Sequence, residues 1–568
     1  MKRVVILLGL CLILSACTTT SCLTQLQPWP DPSGMHTNLQ QCWDKSDQVR
    51  FYTTNQGGRI APYELVKHLE MPRSTDKFFA RANFERWRFL PLEPKDRDQD
   101  SHVDLEVQDW PLGFVLTHSA SKKEVWKGKW LSMNCAGCHT GQVEYQTKKL
   151  RIDGAPTMAN LNQFLWDLQA ALKATYEDGL NNGDKFKRYA NNFPGEWDRA
   201  LLNRLGRVVT DGELWHHRND PPTPPGYARF DAVGLIFNQL IFMSGSEPIG
   251  NFKNDAPVSF PFLWDTSHHN QTQWDGVAPH IPMVRNITQS IGAFAKYDPQ
   301  AGTFQEPSTI PLSNQRQLQR LVHKLRSPAW PEDILGQIDP VKKTRGSDVF
   351  EQKCARCHGS QKPESQHPPS QKREDPLRYL RVTMTPIQEL KTDGNMVANA
   401  DHRELRGPDG TEQRVADAAS DVVKDIVFSG SHPTEFFPFV GESIAAFFRW
   451  QPILDLFRLK FNFGREEFGD RYKARPLDGI WATAPYLHNG SVPNLYQLLV
   501  PSERKPFYVG SREFDKDHVG FITDDKSGTW LDTDIPGNLN TGHDDTTYNG
   551  PLDIETEVWP LIEYMKSL

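Results

Sequence analysis

Residues 134–141 read NCAGCHTG, and residues 353–359 read KCARCHG. Each stretch sets two cysteines with two residues between them and a histidine directly after the second. Three chemistries compete for C-x-x-C-H. A redox dithiol uses the cysteine pair at a helix start and leaves the histidine without a role. A zinc site needs four ligands, and no further Cys or His follows either copy at finger-like spacing. Covalent haem attachment uses every residue: both thiols add to vinyl groups, and the histidine, on the same helical turn, reaches the iron. This composition yields such a pattern by chance about 0.004 times per chain, so two copies are not coincidence. The sequence predicts two covalently bound haem c groups. Cys135, Cys138 and His139 hold the first; Cys354, Cys357 and His358 hold the second.

The motifs sit in a chain of 568 residues, room for two to four ordinary domains. It carries 64 Lys+Arg against 71 Asp+Glu, a net charge of −7, and its basic residues are scattered. A nucleic-acid partner would want a basic face, so none is expected. The 42 prolines predict long ordered loops rather than a lean helical bundle.

The N-terminus, MKRVVILLGLCLILSACTTTS, has two basic residues, an apolar run and then small residues. The run is too short to span a bilayer and reads as an export signal. LSAC, ending at Cys17, resembles a bacterial lipobox, so residues 1–17 are expected to direct lipidation of Cys17. One acylated end tethers a protein without making it span, so membrane contact is expected only through this anchor. Thr18 and Thr19 lack an acidic retention signal, which points to the periplasmic side of the outer membrane; a soluble periplasmic or secreted form is the alternative. Of the eight cysteines, Cys22 and Cys42 are left to form a disulfide in an oxidising compartment, or to stay free.

Helical spacing runs through 158–179, 229–245, 441–457 (interrupted at Pro452) and 553–568. No stretch shows sustained two-residue alternation. The fold class expected is mainly α with long loops: two cytochrome-c-like haem domains, 18–330 and 331–568, with extensive loop insertions. QKPESQHPPSQKREDP (361–376) reads as a surface loop.

LDGIWATAPYLHNGSVPNLYQLLVP (477–501) resembles the TAPYxHNGS stretch of the dihaem cytochrome c peroxidase superfamily. GRIAPYELVKHLE (58–70), LSMNCAGCHTGQVEY (131–145), LRIDGAPTMANLNQFLWDL (150–168), IPMVRNITQSIGAFA (281–295) and DTDIPGNLNTGH (532–543) resemble its branch of rubber oxygenases (RoxA-like) and dihaem fatty-acid dioxygenases. The resemblance runs from about residue 50 to the end. It implies a periplasmic or secreted, mostly helical protein with one reactive haem and one six-coordinate haem. In the oxygenase branch the N-terminal haem binds O2 in an apolar pocket; in the peroxidase branch it opens on reduction of its partner, and an acidic residue assists.

The resemblance places the sixth ligand of the second haem downstream of APYxHNG. His543, beside the permissive Gly542, is the first candidate, and His488 the second, with a pocket-wall role as its alternative. Met565, on the last helix, is a poor ligand. No sixth ligand stands out for the first haem; His118, His216, His217, His268 and His269 lie in polar contexts that suggest solvation. An open first iron is the expectation. Phe294, Trp264 and Trp274 are candidates to line it, with core packing as the alternative, and either tryptophan could instead relay electrons between the haems. Arg285 could pair with a haem propionate, and Gln289 could move protons in a peroxidase.

The reaction expected is O2-dependent oxidation of an apolar alkene, an unsaturated fatty acid or a polyisoprene, at the first haem, with the second storing or relaying electrons. Peroxide reduction with electrons from a small cytochrome is one alternative. Pure electron transfer, with both irons six-coordinate, is another.

Overall fold

A computed structural model describes residues 36–93, 110–119, 128–195, 198–250, 252–269, 271–277, 282–298, 308–359, 382–429 and 470–568. The export segment with Cys17, Cys22, the 361–376 loop and the helix expected at 441–457 lie outside the described residues. Cys42 is disulfide-bonded. No helix among the described residues is long and apolar enough to cross a membrane.

Each C-x-x-C-H motif is framed by helices that come from distant parts of the chain. Around the first, α1 (Lys45–Thr53) starts with a capping box between Asp44 and Asp47. Its far end meets α2 (Cys135–Cys138), the short helix of the motif. Asn134 makes that joint. Its carbonyl oxygen caps the Ala136 N–H, while its amide donates to Phe51 O and Thr54 O at 3.0 and 2.9 Å. The expected helix at 158–179 is α3 (Leu161–Leu180), started by the Asn160 side chain. It packs against α4 (Asp198–Asn219). The expected helix at 229–245 is α5 (Ala232–Met243), capped by Asp231. It lies on α6 (Pro282–Gly292), and α6 in turn lies on α7 (Leu312–Lys324).

Around the second motif, α8 (Pro340–Lys353) runs into α9 (Ala355–His358). The C-terminal helix, α10 (Trp559–Lys566), crosses α8. The crossing is close because Gly346 stands at it: a Cβ there would lie 1.9 Å from Pro560 O. Phe350 then meets Tyr564 with ring centroids 5.4 Å apart. Burying each large apolar side chain of this kind contributes roughly 1.5–3 kcal/mol, and any residue larger than glycine at 346 would force the helices apart.

Strands are present but short. β1 (Phe114–Ser119) and β2 (Gly128–Met133) pair antiparallel, with Leu116 opposite Leu131. β3 (Thr140–Tyr145) and β4 (Lys148–Asp153) form a hairpin directly after the first motif. β5 (Thr383–Pro386) pairs with β6 (Arg471–Ala474), which leads straight to Arg475. None of these exceeds six residues, so alternation has no length over which to show.

One apolar cluster joins Trp43 and Phe51 of the first motif's frame to Trp481, Phe350 and Leu561 of the second's. Trp264 and Trp330 lie in it. The chain before and after residue 330 therefore shares a core.

Candidate functional site

The first motif holds its histidine in a defined tautomer. His139 Nδ1–H donates to Pro261 O at 2.8 Å, which leaves Nε2 for a metal. Burial drives its pKa down to about 4, so the ring stays neutral, as a ligand must. The second motif repeats this: His358 Nδ1–H donates to Arg475 O at 2.8 Å, and burial lowers its pKa too.

Burial pushes the Cys135 thiol up to about 11, and Cys138 and Cys354 up to about 12. Thiolates there are disfavoured, which opposes the redox-dithiol reading. Thioethers carry no charge and meet no such penalty.

Each motif opens onto a cavity. The empty space is about 1020 Å³ at the first and about 1390 Å³ at the second. Both volumes include space open to solvent. The cavities differ in what faces the histidine.

The first cavity is lined by Leu161, Phe230, Ile236, Phe260, Gln289 and Phe294, among others. Among its described lining residues His139 is the only histidine, and there is no Asp or Glu. Met133, which also lines it, lies beside Gly137 of the motif helix, where a Cβ on that glycine would touch Met133 Cε at 2.7 Å. Phe294 closes α6 in an unusual way. Its N–H donates to Ile291 O and that of Ala295 to Ser290 O, the pattern of a helix end that normally places glycine in the left-handed region. Phe294 adopts it at φ 70°. That costs roughly 1–2 kcal/mol and holds the ring at the cavity, 5.6 Å from the Trp215 ring. Arg285 also lines this cavity, buried and bonded to Asn286 and Gln319.

The second cavity contains a facing imidazole. The His543 ring lies 6.2 Å from that of His358, with the planes 33° apart. Two metal–imidazole bonds of about 2 Å each, plus the two ring radii, span about 6 Å, so one iron fits between them. Gly542 makes this possible: it has φ 89°, and a Cβ would sit 2.7 Å from Thr392 Cβ. Arg504 clamps the loop, donating to the carbonyls of Gln497, Leu498, Asn540, Gly542 and His543. His488 lines the same cavity, but its Nε2 is engaged by Tyr472 Oη at 3.0 Å, with the rings stacked 4.2 Å apart. It is a wall residue.

The donor sets fit haem. Beyond thiols and imidazoles, Arg475 and Lys473 stand buried on the second cavity wall, and burial lowers both pKa values, Arg475 to about 9. Arg475 Nε has no hydrogen-bond partner among the described residues. The carboxylates that haem carries would meet this need, and Arg285 lines the first cavity.

Other expected residues are placed elsewhere. Trp274 lines the second cavity, not the first, and its indole N–H donates to Ser259 O. Trp264 lines neither; it is fully buried, stacked on Phe262 at 4.8 Å and bonded to Asp478 O. Both flank the wall between the cavities. His268 and His269 are buried, and His268 packs on His323 at 4.6 Å, against the expectation of solvated loops. His216 pairs with Asp220, while His118 and His217 are exposed. Asn134, Pro261, Tyr472, Arg475 and Arg504 were not singled out by sequence. Only Asn134, a capping residue type directly before a helix, carried a readable signal.

A family model described as "RoxA-like, cytochrome c-like" matches residues 471–509. The stretch includes Tyr472, Lys473, Arg475 and His488. The match supports haem c binding and a c-type cytochrome oxidoreductase. Two relatives come from Sinorhizobium fredii (strain NBRC 101917 / NGR234). The protein named "Uncharacterized protein y4iJ" is 29% identical over 93% of both chains. That named "Uncharacterized protein y4iM" is 28% identical over 56% of this chain and 65% of its own length.

Proposed function

We propose that this chain is an exported dihaem c-type oxidoreductase. Its first site oxidises an apolar alkene with O2, and its second stores or relays electrons. The observation that carries the reading is the difference between the cavities: His358 has a facing imidazole at 6.2 Å, and His139 has none among the described lining residues. A haem iron with one protein ligand supplies a place for O2. The chain's own part is to shape that place. Phe230, Ile236 and Phe294 exclude water and admit an apolar substrate such as an unsaturated fatty acid or a polyisoprene. Arg285 pairs with a propionate and fixes the group in register. His139, neutral and oriented by Pro261 O, sets the proximal side.

The reading includes two cytochrome-c-like units, 18–330 and 331–568, and a periplasmic location with a lipid tether at Cys17. Peroxide reduction is the second reading. Gln289, a lining residue of the first cavity, favours it as a residue type able to hydrogen-bond a bound oxygen.

Low-temperature EPR of the purified protein tests the reading, together with O2 uptake on oleate or latex. One high-spin and one low-spin iron, with uptake on either substrate, are expected. Two low-spin irons that fail to bind CO when reduced would leave only an electron carrier. Turnover of peroxide that begins on half-reduction, without O2 uptake, would establish the second reading.

A further inference from the structure

The two cavities are separated by one extended segment, Ser259–Leu263. Pro261 and Leu263 line the first cavity, Ser259 and Phe262 the second, and Phe260 borders both. From Pro261 to Leu263 the sides alternate, as in an extended chain. On it, the carbonyl of Pro261 accepts from His139 Nδ1 at 2.8 Å. The next carbonyl, that of Phe262, accepts from the Arg475 guanidinium at 2.7 Å. The main-chain carbonyl of Arg475 accepts from His358 Nδ1 at 2.8 Å. The guanidinium also lies 3.5 Å over the Phe262 ring, whose stacking partner is Trp264, and 5.4 Å from the Trp274 ring. Arg475 is fully enclosed, and Thr266 Oγ1 takes a further bond at 3.2 Å.

We infer that Arg475 is a positioning residue shared by both axial imidazoles. Its side chain fixes the peptide next to the one that orients His139, and its own carbonyl orients His358. A planar, multiply donating cation is suited to this: it bonds the Phe262 carbonyl and stacks on the Phe262 ring at once, which an ammonium cannot do. The hydrogen bond from a ligating imidazole to its outer partner tunes the metal. One residue therefore sets the electronic character of two sites. The inference rests on the two-haem reading.

The test is a pair of substitutions in the full-length haem-loaded protein, Arg475→Met and Arg475→Lys, with the midpoint potential of each haem followed by EPR and optical titration. In Arg475→Met both potentials are expected to fall, since a buried cation that favours the reduced state is gone, and the peptide next to the one that orients His139 loses its clamp. In Arg475→Lys the charge remains but the clamp on Phe262 does not, so the first haem's potential is expected to stay displaced from wild type. A shift at the second haem alone, no shift at either, or full restoration of both by lysine would each overturn the inference. If Arg475→Met does not fold, Phe262→Leu, which keeps the carbonyl and removes the ring, should displace the first haem's potential; an unchanged potential overturns the inference. Counting haems per chain by pyridine haemochrome keeps the outcomes apart. One haem per chain sinks the two-haem reading. Two haems whose potentials ignore residue 475 sink only the link.

Discussion

At the first motif the two residues between the cysteines, Ala136 and Gly137, are buried, and Gly113 packs so closely that a Cβ on it would lie 2.1 Å from Gly137 N. At the second, the corresponding residues are Ala355 and Arg356, and Arg356 reaches solvent to pair with Glu389 at 2.8 Å. The proximal side is nevertheless built alike in both, with a buried neutral imidazole donating to a main-chain carbonyl at 2.8 Å. The distal sides part again: a strained phenylalanine at one, a histidine on a clamped loop at the other. The same motif thus builds one side of each cavity alike, and the cavities differ in what faces it.

The largest effect that would break this contrast is on His543. His543→Ala should convert the second haem from low-spin to high-spin, read by EPR, and so make the two sites alike. His488→Ala should leave it low-spin; the reverse pattern would exchange the two histidines' roles.

Phe294 tests the first site's distal face. Phe294→Ala should cost about 3–5 kcal/mol through the lost ring. Phe294→Gly loses the same ring but relieves a left-handed strain of roughly 1–2 kcal/mol. It should therefore be the more stable of the two variants by up to about 1 kcal/mol in denaturant melts, and equal or opposite stabilities would remove the strain argument.

The helix contacts come next. Gly346→Ala drives a Cβ into the Pro560 carbonyl and should cost about 1–3 kcal/mol. Gly137→Ala meets only the flexible end of Met133 and should cost less. Thermal melts rank the pair, and a milder Gly346 variant would contradict the crossing.

The last effect concerns pH. Burial lowers His488 from the ordinary 6.5 to about 3. Between those values the unfolded chain binds the proton and the folded one does not, so stability is full above about pH 6.5 and falls as pH drops toward 3. The slope from this one group is at most about 1.4 kcal/mol per pH unit. His488→Gln should flatten the wild-type profile by that amount below pH 6.5, and superimposable profiles would mean that the ring is solvated.

The six motif residues were legible because attachment needs them adjacent in sequence. His543, whose ring lies across from that of His358, stood in a stretch singled out by the resemblance and by the glycine beside it. Phe294, Gln289 and Arg285 stood in the right stretch, since α6 carries them together to one cavity. The tryptophans were not assignable. Trp264 and Trp274 follow a wall whose successive residues face opposite sides, and aromatic density carries no sign of which side. The carbonyls of Pro261 and Arg475 were invisible because a main-chain acceptor imposes nothing on its own side chain. The short strands were missed for a related reason, their pairing being set by distant segments rather than by local pattern.

The wall at 259–263 has one more consequence, for inheritance. Deleting or inserting a single residue there would turn the side chains of Pro261, Phe262 and Leu263 to the opposite face. Substitutions can drift one at a time, but the length of this segment cannot, so gaps in it should be absent from any lineage that retains both centres.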